Sequence, residues 1–185
     1  GERIDVLKIP FDDAKAFELL SAGDTTGIFQ LEGTGMRRYI EQPKPTVFSD
    51  SAAMVALYRP GPMQHIPTFI KSKHGEIPIT YPHPSLEPIL KETYGIIVYQ
   101  DQVLLIVQAF AGYSLGQADI VRKAMGKKIA GIMAQEKQRF IDGAATKGFS
   151  ADIARDVYAL IEPFAGYAFN KAHSWSYALI AYQTA

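Results

Sequence analysis

The run Asp119-Ile120-Val121-Arg122-Lys123-Ala124-Met125-Gly126-Lys127-Lys128 sets four cations around a glycine. If Gly126 closes a helix, Arg122, Lys123, Lys127 and Lys128 fan out over one spot. Side chains so placed form a clamp for an anion such as a triphosphate or a nucleic-acid backbone. Lys137 and Arg139 extend the patch as candidate DNA contacts. Between 122 and 139 six cations face only Glu136, a balance of +5 in 18 residues. Cations near a helix C-terminus also favour the macrodipole, so a solvated basic face is the plain alternative.

The stretch Gly166-Tyr167-Ala168-Phe169-Asn170-Lys171-Ala172-His173-Ser174-Trp175-Ser176-Tyr177 points the same way from a helix start. Asn170 is placed to cap, and Lys171 brings charge to backbone N–H groups that already attract anions. His173 and Tyr177 lie four apart and share a face. A phosphate near the N-terminus and a flat group on Tyr177 suit a nucleotide; a capped helix with a packed Tyr and a surface His is the alternative.

Other chemistries find less support. Gly112-Tyr113-Ser114-Leu115-Gly116 fits G-x-S-x-G, with Asp119 and His173 following in hydrolase order. That elbow needs a strand before its serine, and helical periodicity precedes Ser114, which reads better as an N-cap. His65, His74 and His83 recur nine apart in a Pro-rich stretch that fixes no mutual geometry, and His83 and Glu87 lack a third ligand. Gly126-Lys127-Lys128 is not a Walker A sequence. Neither a catalytic residue nor a metal ligand is assigned within the chain.

The elements that must hold these residues are helical. Asp12 is placed to cap a helix over 13–21, with Gly23 beyond its end, and a turn around Phe29 and Gln30 leads to a helical turn through Met36 and Tyr39. Ser51–Tyr58 reads as helix, broken at Arg59-Pro60-Gly61-Pro62. The segment 64–93, with five prolines, reads as mostly irregular, with a short extended piece at Ile77–Tyr81. Tyr94–Tyr99 is either a short strand or the lead into a helix that ends at Gly112. Further helices are expected over 116–125, over about 130–147, after Ser150 up to Pro163, and from Lys171 to Ala185. The last shows no stop signal, as in a chain cut inside a helix. The fold class is therefore mainly α: an irregular multi-helix domain with long Pro-rich loops and at most a short strand or hairpin.

Composition narrows the class. The 185 residues include 48% hydrophobic and 21% charged, ordinary globular values that exclude intrinsic disorder. The absence of cysteine excludes a disulfide scaffold, a thiolate zinc site and a cysteine nucleophile. No run approaches a membrane span and the first residues lack a signal-peptide core, so a cytoplasmic protein without a membrane partner is expected. Zero net charge hides a gradient: residues 1–50 carry −3 and the rest +3.

Five stretches, in order, carry a more specific signal: Gly23-Asp24-Thr25-Thr26-Gly27-Ile28-Phe29-Gln30-Leu31-Glu32; Tyr58-Arg59-Pro60-Gly61-Pro62-Met63; Tyr94-Gly95-Ile96-Ile97-Val98-Tyr99-Gln100-Asp101-Gln102-Val103; Ala118 to Lys128; and Phe164 to His173. Together they resemble the fingers region of the C-family DNA polymerases, the family of the bacterial DNA polymerase III alpha subunits. The likeness runs through almost the whole chain. Gly33, Asp101, Ala168, Ala172 and Trp175 depart from the residues common in the family, but no cation and no His is lost. A low-fidelity paralogue shares these motifs, which do not separate the two.

The resemblance implies template-directed nucleotidyl transfer, with dNTP and template-primer DNA as ligands. It implies two Mg2+ ions held by aspartates of a palm domain in the same polypeptide, and replisome subunits bound through other regions. Residues 1–185 are then a fingers fragment starting just after the palm, inactive by itself. By the same resemblance Arg122 and Lys123 are the first candidates for triphosphate contacts. Lys127, Lys128 and Lys171 follow, with His173 as phosphate donor and possible proton donor, Tyr177 as a wall for sugar or base, and Arg59 on nucleotide or template. Gln30 and Gln100 are weaker candidates. The competing readings are a free-standing nucleic-acid-binding module and, less favoured, the serine hydrolase.

Overall fold

Asp13, rather than Asp12, opens the first helix: its Oδ1 accepts the N–H of Lys15 at 2.8 Å. In the computed structural model, which describes residues 5–126 and 130–185, this helix is α1 (Ala14–Ser21). It is followed by α2 (Thr34–Ile40), α3 (Phe48–Leu57), α4 (Ile66–Lys73) and the single turn α5 (Glu87–Leu90). Then come α6 (Gln100–Ala111), α7 (Leu115–Gly126), α8 (Ala130–Thr146), α9 (Ala151–Ile161) and α10 (Lys171–Thr184), with short 3-10 turns between several of them. The only β pairing among the described residues is one isolated parallel bridge, Tyr99 with Phe169, so the mainly-α expectation holds.

Most ends follow the expected chemistry. Gly112 caps α6 in the left-handed region, and the Ser150 hydroxyl accepts the Ile153 N–H to begin α9. Two segments differ from the sequence reading. Pro67 lies in the first turn of α4, where its missing N–H costs nothing, so part of the Pro-rich stretch is helix. The run 94–99 takes the second of its two readings, the lead into α6: a left-handed turn at Tyr94 and Gly95, then irregular chain to the bridge at Tyr99. No regular strand forms over 77–81.

The chain divides into two compact units: residues 1–77 with 172–185, and residues 78–171. The first packs α1, α2, α3 and the body of α10 around Phe17, Leu20, Leu31, Met36, Ala178 and Tyr182. Phe48 sets its ring edge-on to Trp175 and Tyr182, and the Ser174 hydroxyl donates to the Ala52 carbonyl. At the start of α3, Asp50 is fully buried. It accepts the N–H groups of Thr46 (3.0 Å) and Val47 (3.3 Å) and the Lys73 ammonium at 3.1 Å. Lys73 is buried too, and it also donates to the Thr46 hydroxyl, so α4 is tied to the loop before α3. Past α3, Gly61 adopts φ 98°, a conformation other residues rarely tolerate, and carries the chain through Pro60 and Pro62.

In the second unit α6 packs on α5, α7 and α8, and α9 lies along α8. Val103, Ile106, Val107 and Phe110 of α6 are buried, as are Ala154, Val157, Tyr158 and Ile161 of α9. Phe110 stacks on Phe149 and Phe140. Buried Gln102 accepts the N–H groups of Val98 (2.8 Å) and Tyr99 (3.0 Å) and donates to Ile89 O and the Thr93 hydroxyl. The approach of α6 to α8 relies on Gly143, where a Cβ would stand 2.4 Å from the Ala111 carbonyl oxygen.

Replacing Lys73 with Met leaves the Asp50 carboxylate buried without its counter-charge. The expected cost is about 3–5 kcal/mol, read from urea unfolding followed by circular dichroism. A loss below about 1 kcal/mol would mean that the pair contributes little. Gly143→Ala, which in an open helix gains about 1 kcal/mol, should instead lower stability by about 1–3 kcal/mol through overpacking. A raised melting temperature would contradict the close approach.

Candidate functional site

Both oxygens of Asp119 are engaged by cations one turn further along α7. Arg122 donates from Nε (2.9 Å) and Nη2 (2.7 Å) to Oδ1, and Lys123 donates from Nζ to Oδ2 at 2.7 Å. The i,i+3 and i,i+4 spacings put all three side chains on one face, and all three reach solvent. The hydrogen bonds from Lys123 and Arg122 hold the Asp119 carboxyl below its usual range. The helix that carries them begins with a reciprocal cap. The Gln117 N–H donates to the Ser114 hydroxyl at 3.3 Å, and the Ser114 N–H donates to Gln117 Oε1 at 2.9 Å. Ser114 is thus an N-cap with no strand before it, and the hydrolase reading has no structural footing.

Lys171, at the start of α10, belongs to the same unit. Its ammonium meets Glu92 at 2.6 Å and stands 5.5 Å from the centre of the buried Tyr99 ring. Its place is set by the bridge on either side of Tyr99, where Phe169 N–H donates to Val98 O (2.9 Å) and Gln100 N–H donates to Phe169 O (2.8 Å). The 3-10 turn Glu162–Gly166 that leads toward Lys171 packs on α7.

The α8 cations are engaged differently. Arg139 pairs with Glu136 at 3.6 Å and lies 5.1 Å from the Tyr113 ring centre, while Lys137 lies 5.8 Å from that of Tyr158. Glu136 is buried and accepts the Tyr113 hydroxyl at 3.1 Å. Burial first, then the Glu136 charge, pushes the Tyr113 phenol up; burial and the Glu162 charge push Tyr158 up to about 12. Lys127 and Lys128, the remaining members of the expected clamp, lie outside the described residues.

Arg59, His173 and Tyr177 belong to the first unit. His173 and Tyr177 do share a face, with ring centres 4.1 Å apart and planes at 32°. Phe29 continues the row, 5.3 Å from Tyr177. It is held by its own N–H, which donates to the Thr184 hydroxyl at 3.2 Å, and it is followed by Gln30 at φ 66°. Phe29 is 38% exposed, so one end of this aromatic row is open to solvent. Arg59 is half-buried; it donates from Nε to the Ala56 carbonyl at 2.8 Å, and burial lowers its pKa.

The other histidines have structural tasks. His74 Nε2 is 2.9 Å from Gln42 O, and His83 caps the turn at Ser85 and packs edge-on to Phe110 and Phe149. Among the described residues no three His, Asp or Glu side chains gather to hold a metal ion.

Reading the residues for cations left out Asp119 as their common partner, Glu92, and Phe29. The first was signalled by its spacing to Arg122 and Lys123. The other two have no local signal, since each meets its partner across a long stretch of chain.

Comparison with known proteins bears on the same positions. A family model described as the bacterial DNA polymerase III alpha subunit finger domain matches residues 1–148. The DNA polymerase III subunit alpha of Staphylococcus aureus (strain Mu50) is 52% identical over 182 residues, covering 98% of this chain and 17% of the relative. The subunit of the same name from Staphylococcus epidermidis is 51% identical over 179 residues, covering 97% of the chain and 17% of the relative. The chain thus spans about one-sixth of the length of these relatives. With the five ordered motifs, the helical fold and these matches in agreement, the chain belongs to the bacterial DNA polymerase III alpha subunit finger domain family.

Proposed function

We propose that this chain supplies the part of a bacterial DNA polymerase that grips the triphosphate of an incoming dNTP and helps to hold template-primer DNA. The observation that carries the reading is the aim of Arg122 and Lys123 at one oxyanion, each with a donor 2.7 Å from an oxygen of the same carboxylate. Donors so arranged suit a phosphate as well as they suit Asp119. As the primer hydroxyl attacks, charge builds on the departing pyrophosphate, and cations already in place stabilise that change more than the ground state. Lys171, in the same compact unit as α7, adds a third positive charge, and Lys127 and Lys128 follow in sequence.

Within the first unit, the row Phe29, Tyr177 and His173 offers flat faces for a base or sugar, and the His173 ring is the proposed phosphate donor. Arg59, fixed by Pro60 and Pro62, contributes to nucleotide or template. Lys137 and Arg139 contribute to DNA contact from α8, where Arg139 keeps 45% of its side chain exposed. Metal-assisted activation of the primer hydroxyl falls to the palm of the same polypeptide. The partners are thus dNTP, DNA, the palm and, through other regions, replisome subunits. The setting is cytoplasmic, in keeping with described helices that are too short or too polar to cross a membrane.

Arg122→Ala in the full polymerase should raise KM for dNTP or lower kcat by an amount worth about 1.5–3 kcal/mol, measured by steady-state primer extension. Unchanged kinetics in a folded variant would remove Arg122 from the site. The isolated chain should show no primer extension with Mg2+ present. Activity that copurifies with it and follows its own variants would overturn the proposed division of labour.

A further inference from the structure

Among the described residues Asp119 has no visible task in the fold: its side chain, 38% exposed, meets Arg122 and Lys123 and caps no helix. Exposed pairs of this spacing stabilise a helix by only a few tenths of a kcal/mol. The geometry is nonetheless fully used: one oxygen takes two N–H groups of a single guanidinium, and the other takes the ammonium. A phosphate group would present oxygens of similar bite to the same three donors. Without an anion between them, two cations at adjacent positions would repel and splay apart.

Resting on the reading above, we propose that Asp119 is a stand-in for substrate phosphate: it holds Arg122 and Lys123 converged while no nucleotide is bound, and it is displaced by the triphosphate. Two consequences follow from its charge. The carboxylate competes with every incoming phosphate, so it lowers by a common factor the apparent affinity of any anion that must displace it. It also gives the cations a partner to return to, which speeds departure of pyrophosphate. Hydrogen bonds from both cations keep Asp119 ionised throughout the neutral range, so the stand-in is present whenever the site is empty. Asp119 is in this sense a positioning residue that acts through its neighbours.

The test is Asp119→Asn in the full-length polymerase subunit, beside Asp119→Glu and Arg122→Ala. Steady-state primer extension is measured at low and moderate salt, with inorganic pyrophosphate as inhibitor. Asp119→Asn should lower both KM for dNTP and the inhibition constant of pyrophosphate, roughly two- to fivefold at low salt, with a smaller change at moderate salt. Asp119→Glu, which keeps a carboxylate within reach of α7's next turn, should restore wild-type values. A raised or unchanged KM in Asp119→Asn, with Arg122→Ala still impaired, overturns the stand-in and leaves the triphosphate reading intact, Asp119 then only orienting the guanidinium. Wild-type KM and kcat in a folded Arg122→Ala variant remove the triphosphate reading and the stand-in together.

Discussion

Val98 and Tyr99 carry backbone N–H groups into the interior where no neighbouring strand takes them, and the Gln102 side chain accepts from both. An unpaired buried amide costs on the order of 1–3 kcal/mol, so a helical chain with long irregular connections must find such acceptors repeatedly. It finds them in side chains. Asp50 takes the amides before α3, the Thr25 hydroxyl donates to Leu31 O, Thr93 bonds Ile96 O, and Tyr182 bridges Asp13 N–H and Pro10 O. Most of these are buried polar groups whose replacement by an apolar isostere would leave backbone atoms stranded. The connections are therefore as determined as the helices.

Two of the connections carry candidate site side chains. The extended lead 96–99, fixed by Gln102, pairs with Phe169 and so sets where α10 begins and where Lys171 projects. The Asp50–Lys73 pair anchors the beginning of α3, whose far end feeds the Pro-Gly-Pro turn after Arg59. In both cases a buried polar side chain positions a cation several residues away, so a substitution with no contact to ligand would be felt at the candidate site.

Helix boundaries marked by local chemistry were legible in the sequence: Gly112, Ser114, Ser150 and the register of α6 all read correctly, because caps and apolar periodicity are local signals. The helix α4 was not, because Pro67 reads as a breaker unless its place in the first turn is known. The run 94–99 has β-type residues but only one bridging partner, supplied far along the chain by Phe169. The cations of α7 were legible as a cluster, and their convergence on Asp119 lay in the same ten residues. Phe29 was not legible beside Tyr177, since only the folded chain brings a turn before α2 against α10. The five motifs conveyed the family because each holds residues of both kinds, local caps and long-range partners.

The charge arrangement bears on how a chain of zero net charge suits the polyanion proposed for it. Four described cations of the second unit's candidate site have a carboxylate beside them: Arg122 and Lys123 share Asp119, Lys171 meets Glu92 and Arg139 meets Glu136, while Lys137 lies over the Tyr158 ring. A site of bare cations would attract any phosphate, DNA backbone included, and would be slow to release pyrophosphate. Pairing each cation with an exposed or half-exposed carboxylate lowers the resting field, while the pairs themselves contribute little to stability and break readily. On the proposed reading, a ligand with several charges, contacting several cations together, displaces the carboxylates. Buried Glu136 is the exception, because its bond to the Tyr113 hydroxyl ties it to the packing of α8. Of these cations, Arg139 is accordingly the one whose partner is held in place, and Arg122, Lys123 and Lys171 are the ones whose partners can yield.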